Sequence, residues 1–177
     1  QLMIIAAHAP IGVEPYAPNS ELGWWTDPQN ACTESELIEE LHTHPNLIMW
    51  LAGHRHLNIV KAFISPDTTS PENGFWQVET SSLRDFPQEF RTFQIYLNSD
   101  DTLSIITTDV DPSVKEGTPA GKSRSYAIAA SELVNTDIEN HNPTNDPTIK
   151  PTPGGSYNAI LLKKLTPEMA KNLRKAL

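Results

Sequence analysis

Short apolar runs and polar, proline-rich stretches alternate along this chain, and the period of each run indicates what it forms. Gln1–Ala7 is a short apolar run that stops at His8-Ala9-Pro10, which fits a buried strand entering a loop. Residues 9–32 are rich in Pro, Gly and Asn, carry Trp24 and Trp25, and read as a long irregular loop. Thr33-Glu34-Ser35-Glu36 is a capping box that opens a helix running to about Thr43, which His44-Pro45-Asn46 ends. Leu47–Ala52 is continuously apolar and predicts a strand buried on both faces. Further strands are predicted over Asn58–Ile64, Gly74–Thr80, Arg91–Leu97 and Thr102–Val110, the last two joined as a hairpin by Asn98-Ser99-Asp100-Asp101.

Residues 111–125 read as a polar surface loop, Tyr126–Thr136 as a helix, and 137–156 as a low-complexity stretch of Asn, Asp, Pro, Thr and Gly. Tyr157–Leu165 predicts a last strand. Thr166-Pro167-Glu168 opens a terminal helix, with threonine as N-cap and proline at the first helical position. Strand, helix, strand, then several strands in a row predicts an α/β (α+β) fold, with one α/β layer feeding an antiparallel sheet. The 177 residues suffice for one domain with a core of its own. Its parts are a body over 1–110, a polar insertion over 111–156, and a closing strand and helix over 157–177 that belong to the same domain.

Charge narrows the partners. The formal net charge is −9, without basic runs, which argues against nucleic acid and against an anionic membrane surface. Phosphate remains open where a metal inverts the local field. No apolar stretch approaches the length that spans a bilayer. Cys32 is the single cysteine, so no internal disulfide forms. The opening "QLMIIAAHAP" reads as a strand already under way, which suggests a fragment or a chain whose front part has been removed.

The chemistry concentrates in "LIMWLAGHRHLNIVKAF", Leu47–Phe63, where an apolar strand ends in Gly53 and delivers His54 and His56. His8 stands the same way at the end of Gln1–Ala7. Ligands of open α/β sheets bind at such strand ends, and imidazole is the commonest metal ligand. On a tight loop after a strand, His54 and His56 can diverge toward two metals. Gly53 fits a sharp backbone turn close to the ligand. Arg55, between the histidines, either contacts substrate phosphate or points away from the metals, as its neighbours point toward them. Trp24 and Trp25 either line a substrate pocket or pack their loop onto the body. His42 and His44 fall in the last turn of the helix and read as structural. Arg84, Asp85 and Arg91 read as an ion-pair network pinning a loop.

"GHRH", Gly53–His56, after an apolar strand, with "AAHAP" about 45 residues earlier, resembles the calcineurin-like metallophosphoesterases. The resemblance covers the last two blocks of that family's signature, roughly residues 1–65. Residues 78–97, "VETSSLRDFPQEFRTFQIYL", look similar to the corresponding segment of some bacterial members. The earlier blocks are missing: the chain has no Asp-x-His, no Gly-Asp and no Gly-Asn-His/Asp.

The resemblance implies the C-terminal half of a metallophosphoesterase-type β-sandwich flanked by helices. It implies that His8 and His54 bind one metal of a dinuclear site and His56 the other. Two divalent ions, zinc, manganese or iron, would belong to the full-length protein, with none necessarily bound to this chain. It implies hydrolysis of a small phosphoester through a metal-bridging hydroxide, with the catalytic Asn–His pair outside this chain and the isolated chain inactive. Two alternatives stand beside it: a non-catalytic α/β binding or structural module with a vestigial metal motif, and a mononuclear zinc hydrolase built on His8, His54 and His56. A truncated sheet exposes an edge, so the isolated chain is also expected to form a homodimer or to cover that surface with its own tail.

Overall fold

Parallel pairing of the two histidine-bearing strands organises the molecule. The computed structural model describes residues 1–12, 32–136 and 158–176. Trp24, Trp25, His141, Tyr157 and the polar stretch 137–156 lie outside the described residues.

Strand β1 (Met3–Ala6) runs parallel to β2 (Leu47–Ala52). Between them lies helix α1 (Glu34–Leu41), started by the capping box that the sequence predicts. Thr33 accepts from the Glu36 amide, and the Glu36 carboxylate accepts from the Thr33 amide at 2.8 Å. Strand β3 (Ile59–Phe63) pairs antiparallel with β4 (Phe75–Glu79), and β4 runs parallel to β2. The first sheet therefore has the order β1-β2-β4-β3. Strands β5 (Phe90–Leu97), β6 (Thr102–Val110) and β7 (Ala159–Lys164) form a second, antiparallel sheet in that order. Helix α3 (Pro167–Ala176) closes the described chain, with Thr166 Oγ1 accepting from the Met169 amide. The fold is mixed α/β, with two sheets and three helices among the described residues. No described helix is long and apolar enough to cross a membrane.

The two sheets share one core. Ile48, Met49 and Val78 of the first sheet pack with Leu103, Ile105 and Leu161 of the second, and Leu165 and Ala170 seal its end. A second cluster joins Leu41 of α1 to Leu47, Phe63 and Phe75. Strand β2 is thus covered from both sides: Leu47, Ile48 and Met49 have no exposed surface, as a continuous apolar run requires.

Polar bolts cross the seam. Trp76 Nε1 donates to the Leu162 carbonyl at 2.9 Å. The buried Lys163 ammonium donates to the Gly74 carbonyl at 2.6 Å and to that of Glu72, and burial pulls it down to about 8.

Helix α2 (Pro119–Thr136) begins well before the predicted Tyr126, inside the stretch read as a loop. Pro119 is pre-set for a first helical turn, and Thr118 Oγ1 accepts from the Gly121 amide at 3.2 Å. Gly121 lowers helix propensity and so hid the start. It is there because a Cβ would stand 2.5 Å from the Lys115 carbonyl.

Of the expected Arg84–Asp85–Arg91 network, Arg84 and Asp85 do lie within ion-pair distance at 3.8 Å, but Arg91 goes elsewhere. Arg91 pairs across β5 and β6 with Asp109 at 2.7 Å and donates to Thr107 Oγ1. Register decides this, since Arg91 lies directly opposite Asp109. Both side chains are almost wholly buried. Desolvation outweighs the guanidinium and pushes the Asp109 carboxyl up from 3.8 to about 6. Between pH 4 and 6 the folded chain therefore holds a proton that the unfolded chain has released. The contribution of Asp109 to stability falls as pH rises through that window. Urea unfolding at pH 4, 5 and 6 is expected to show this component in the wild type and to lack it in Asp109→Asn. Equal pH slopes in the two proteins would refute the assignment.

Candidate metal centre

Strands β1 and β2 end side by side, and their ends carry the histidines. The Ala7 amide donates to the Leu51 carbonyl at 2.9 Å, and the Gly53 amide to the His8 carbonyl at 3.0 Å. This carries the ladder one step past each strand and fixes His8 beside His54. His54 Nδ1 lies 3.0 Å from His8 Nε2, and the rings meet edge to face at 84°. Two ring nitrogens this close need one proton between them or a cation facing both lone pairs. With metal–nitrogen bonds of about 2.0–2.1 Å, neighbouring ligands on one ion stand roughly 2.9–3.4 Å apart. The His8–His54 pair fits one ion at that spacing.

The backbone that presents these rings is strained. His54 has φ 70° and His56 φ 56°, a left-handed conformation that costs a non-glycine residue about 1–2 kcal/mol. The turn expected of Gly53 is thus made by the histidines themselves. Gly53 is not left-handed, and a Cβ there would only touch the Thr80 carbonyl at 3.9 Å. Strain held in place by its surroundings is a mark of functional sites.

Arg55 holds the strained turn. Its side chain runs back into the protein, where Nε donates to Glu79 Oε2 at 2.9 Å and Nη2 to Glu79 Oε1. Glu79 ends β4, opposite Ala52 of β2. Its side chain is 0% exposed, while that of Arg55 is 17% exposed. Nε and Nη2 of the guanidinium are engaged in this fork, which anchors Arg55 to the end of β4. Glu79 does not stand out in the sequence as a site residue. Its signal is a carboxylate ending a largely apolar strand, which implies a buried cation.

His56 faces a different partner. Its Nδ1 contacts Asp85 Oδ2, on the loop between β4 and β5. Asp85 is also 3.8 Å from the exposed Arg84. The structure brings His8 and His54 together and sets His56 against Asp85. Among the described residues no group of three or more His, Cys, Asp or Glu side chains forms a metal-holding cluster. His42 and His44 stay apart from the site, bonded to the Asn73 carbonyl and to Glu40. A cleft of about 340 Å³, lined by Phe63, Phe75, Trp76 and Lys163, opens at the N-terminal end of β4, the opposite end from Glu79.

Compared with protein-family models, curated proteins and solved structures, the chain gives no match to any of them.

Proposed function

We propose that this chain is the histidine-bearing part of a dinuclear-metal phosphoesterase. The observation that carries the reading is the His8–His54 nitrogen pair, 3.0 Å apart on the ends of neighbouring parallel strands. His56, turned toward Asp85 from the same loop, suits a ligand for a second ion. The two packed sheets and flanking helices agree with placing the chain in half of a metallophosphoesterase sandwich.

Two divalent ions held there, zinc, manganese or iron, would supply Lewis-acid charge at a phosphoryl group and lower the pKa of water. The chain's own part is positional. His8 and His54 offer lone pairs at ligand spacing, the strand ladder fixes their separation, and the Arg55–Glu79 fork fixes the turn between His54 and His56. The remaining ligands and the proton donor for the leaving alkoxide are assigned to polypeptide outside this sequence. The outer edge of β1 has no partner strand among the described residues. That edge suits the rest of the sheet, and in the isolated chain it is available to a second copy.

The test uses the protein at its full natural length, loaded with Mn²⁺ or Zn²⁺. Hydrolysis of p-nitrophenyl phosphate or its bis ester is expected, is expected to require the ion, and is expected to be lost in His54→Ala. Residues 1–177 alone are expected to be inactive. A full-length, metal-loaded protein that leaves both esters intact would sink the reading.

A further inference from the structure

We infer that Asp85 is a positioning residue, holding the Nδ1–H of His56 so that the Nε2 lone pair is left free for a metal ion. The inference rests on the phosphoesterase reading for the role of His56, and on geometry for the role of Asp85.

An imidazole offers a lone pair on one nitrogen only, and the partner of the other nitrogen decides which. Here Asp85 Oδ2 takes Nδ1. A carboxylate accepts and cannot donate when ionised, so this contact selects the tautomer with the proton on Nδ1. Carboxylate–histidine–metal arrays work in this way, raising ligand basicity and fixing ring orientation.

The loop that carries Asp85 is held for the task. At its ends, Asn58, two residues beyond His56, accepts from the Ser81 amide at 2.9 Å and donates to the Glu89 carboxylate at 2.6 Å. At its apex, the Gln88 amide donates to the Asp85 carbonyl at 2.8 Å, with Gln88 itself left-handed at φ 60°. The Gln88 side chain then donates to the Arg84 carbonyl and to Ser123 Oγ of α2. Loop 80–89 is thereby tied to the His56 loop on one side and to a helix on the other. His56 and Asp85 are 39% and 49% exposed, and a pair this exposed adds little to stability. So much local anchoring around a weak pair points to orientation, not to fold.

The experiment is nitrogen NMR of the His56 ring in the metal-free chain, at a pH where the ring is neutral, followed by titration with Zn²⁺. In the wild type the proton is expected on Nδ1. In Asp85→Ala a population with the proton on Nε2 is expected to appear. Asp85→Asn keeps an oxygen acceptor and is expected to retain the wild-type tautomer. Zn²⁺ is expected to shift the His56 signals, with apparent affinity about 10–100-fold weaker in Asp85→Ala. If Asp85→Ala leaves the tautomer unchanged, the positioning role is overturned, whatever the ion does. If the tautomer moves but Zn²⁺ never perturbs His56, Asp85 orients the ring and the metal reading of His56 falls instead.

Discussion

Arg55→Ala is expected to destabilise the chain by about 3–5 kcal/mol, because it strips a buried carboxylate of its partner. Glu79 has no exposed side-chain surface, and both of its oxygens are taken by the Arg55 guanidinium. Truncation leaves that charge without water and without a cation, which is the expensive way to break an ion pair. At this chain length each kcal/mol moves the thermal midpoint by about 2–4 °C, so a fall of roughly 6–20 °C is expected in calorimetry. Arg55→Lys keeps the charge but not the fork and should fall between. The double variant Arg55→Met, Glu79→Leu removes both charges and should recover most of the stability, since an apolar pair of similar volume is often no worse than a buried salt bridge. It should not recover the full geometry at His54 and His56, because the side chain that ties the turn to the end of β4 is then gone. A single variant Arg55→Ala that melts with the wild type would show that the fork is not what holds this loop.

Local signals told most of the fold. A capping box, a hairpin turn and an apolar run are contained within a few residues, and α1, β2 and the β5–β6 pair follow from them. The start of helix α2 is half hidden because Gly121 answers to the close approach of the Lys115 carbonyl in the turn that leads into the helix, which helix propensity does not register. The site divides in the same way. His8, His54 and His56 could be picked out because each follows an apolar run, where a sheet presents ligands. Their partners could not. Asp85 stands beside Arg84 in sequence, and only the loop between β4 and β5 turns it onto His56. Arg91 looked like its companion until strand register placed it opposite Asp109. Glu79 shows the general reason: who neutralises a buried charge is a long-range fact, with Arg55 reaching it from 24 residues away.

Removing either member of the His8–His54 pair is expected to cost this chain roughly 100–1,000-fold in affinity for Zn²⁺. Structural zinc sites of four ligands bind with about 10–16 kcal/mol, so one ligand accounts for about 2.5–4 kcal/mol, or roughly two to three decades. The two losses should not add. One imidazole without the other is a surface histidine, so the double variant His8→Ala, His54→Ala should bind scarcely worse than either single one, the signature of groups acting as a unit. Stability gives an independent reading of the same residue. His54 sits at φ 70°, where glycine is at ease and alanine is not. His54→Gly should therefore be about 1 kcal/mol more stable than His54→Ala, although both lose the ion equally. That pairing of results, strain relieved while binding is lost, is what a turn held for the sake of its ring would give. Zn²⁺ titration by calorimetry, with urea unfolding of the metal-free variants alongside, supplies both numbers. Wild-type affinity in His8→Ala and His54→Ala would mean that their 3.0 Å approach is a hydrogen bond and nothing more.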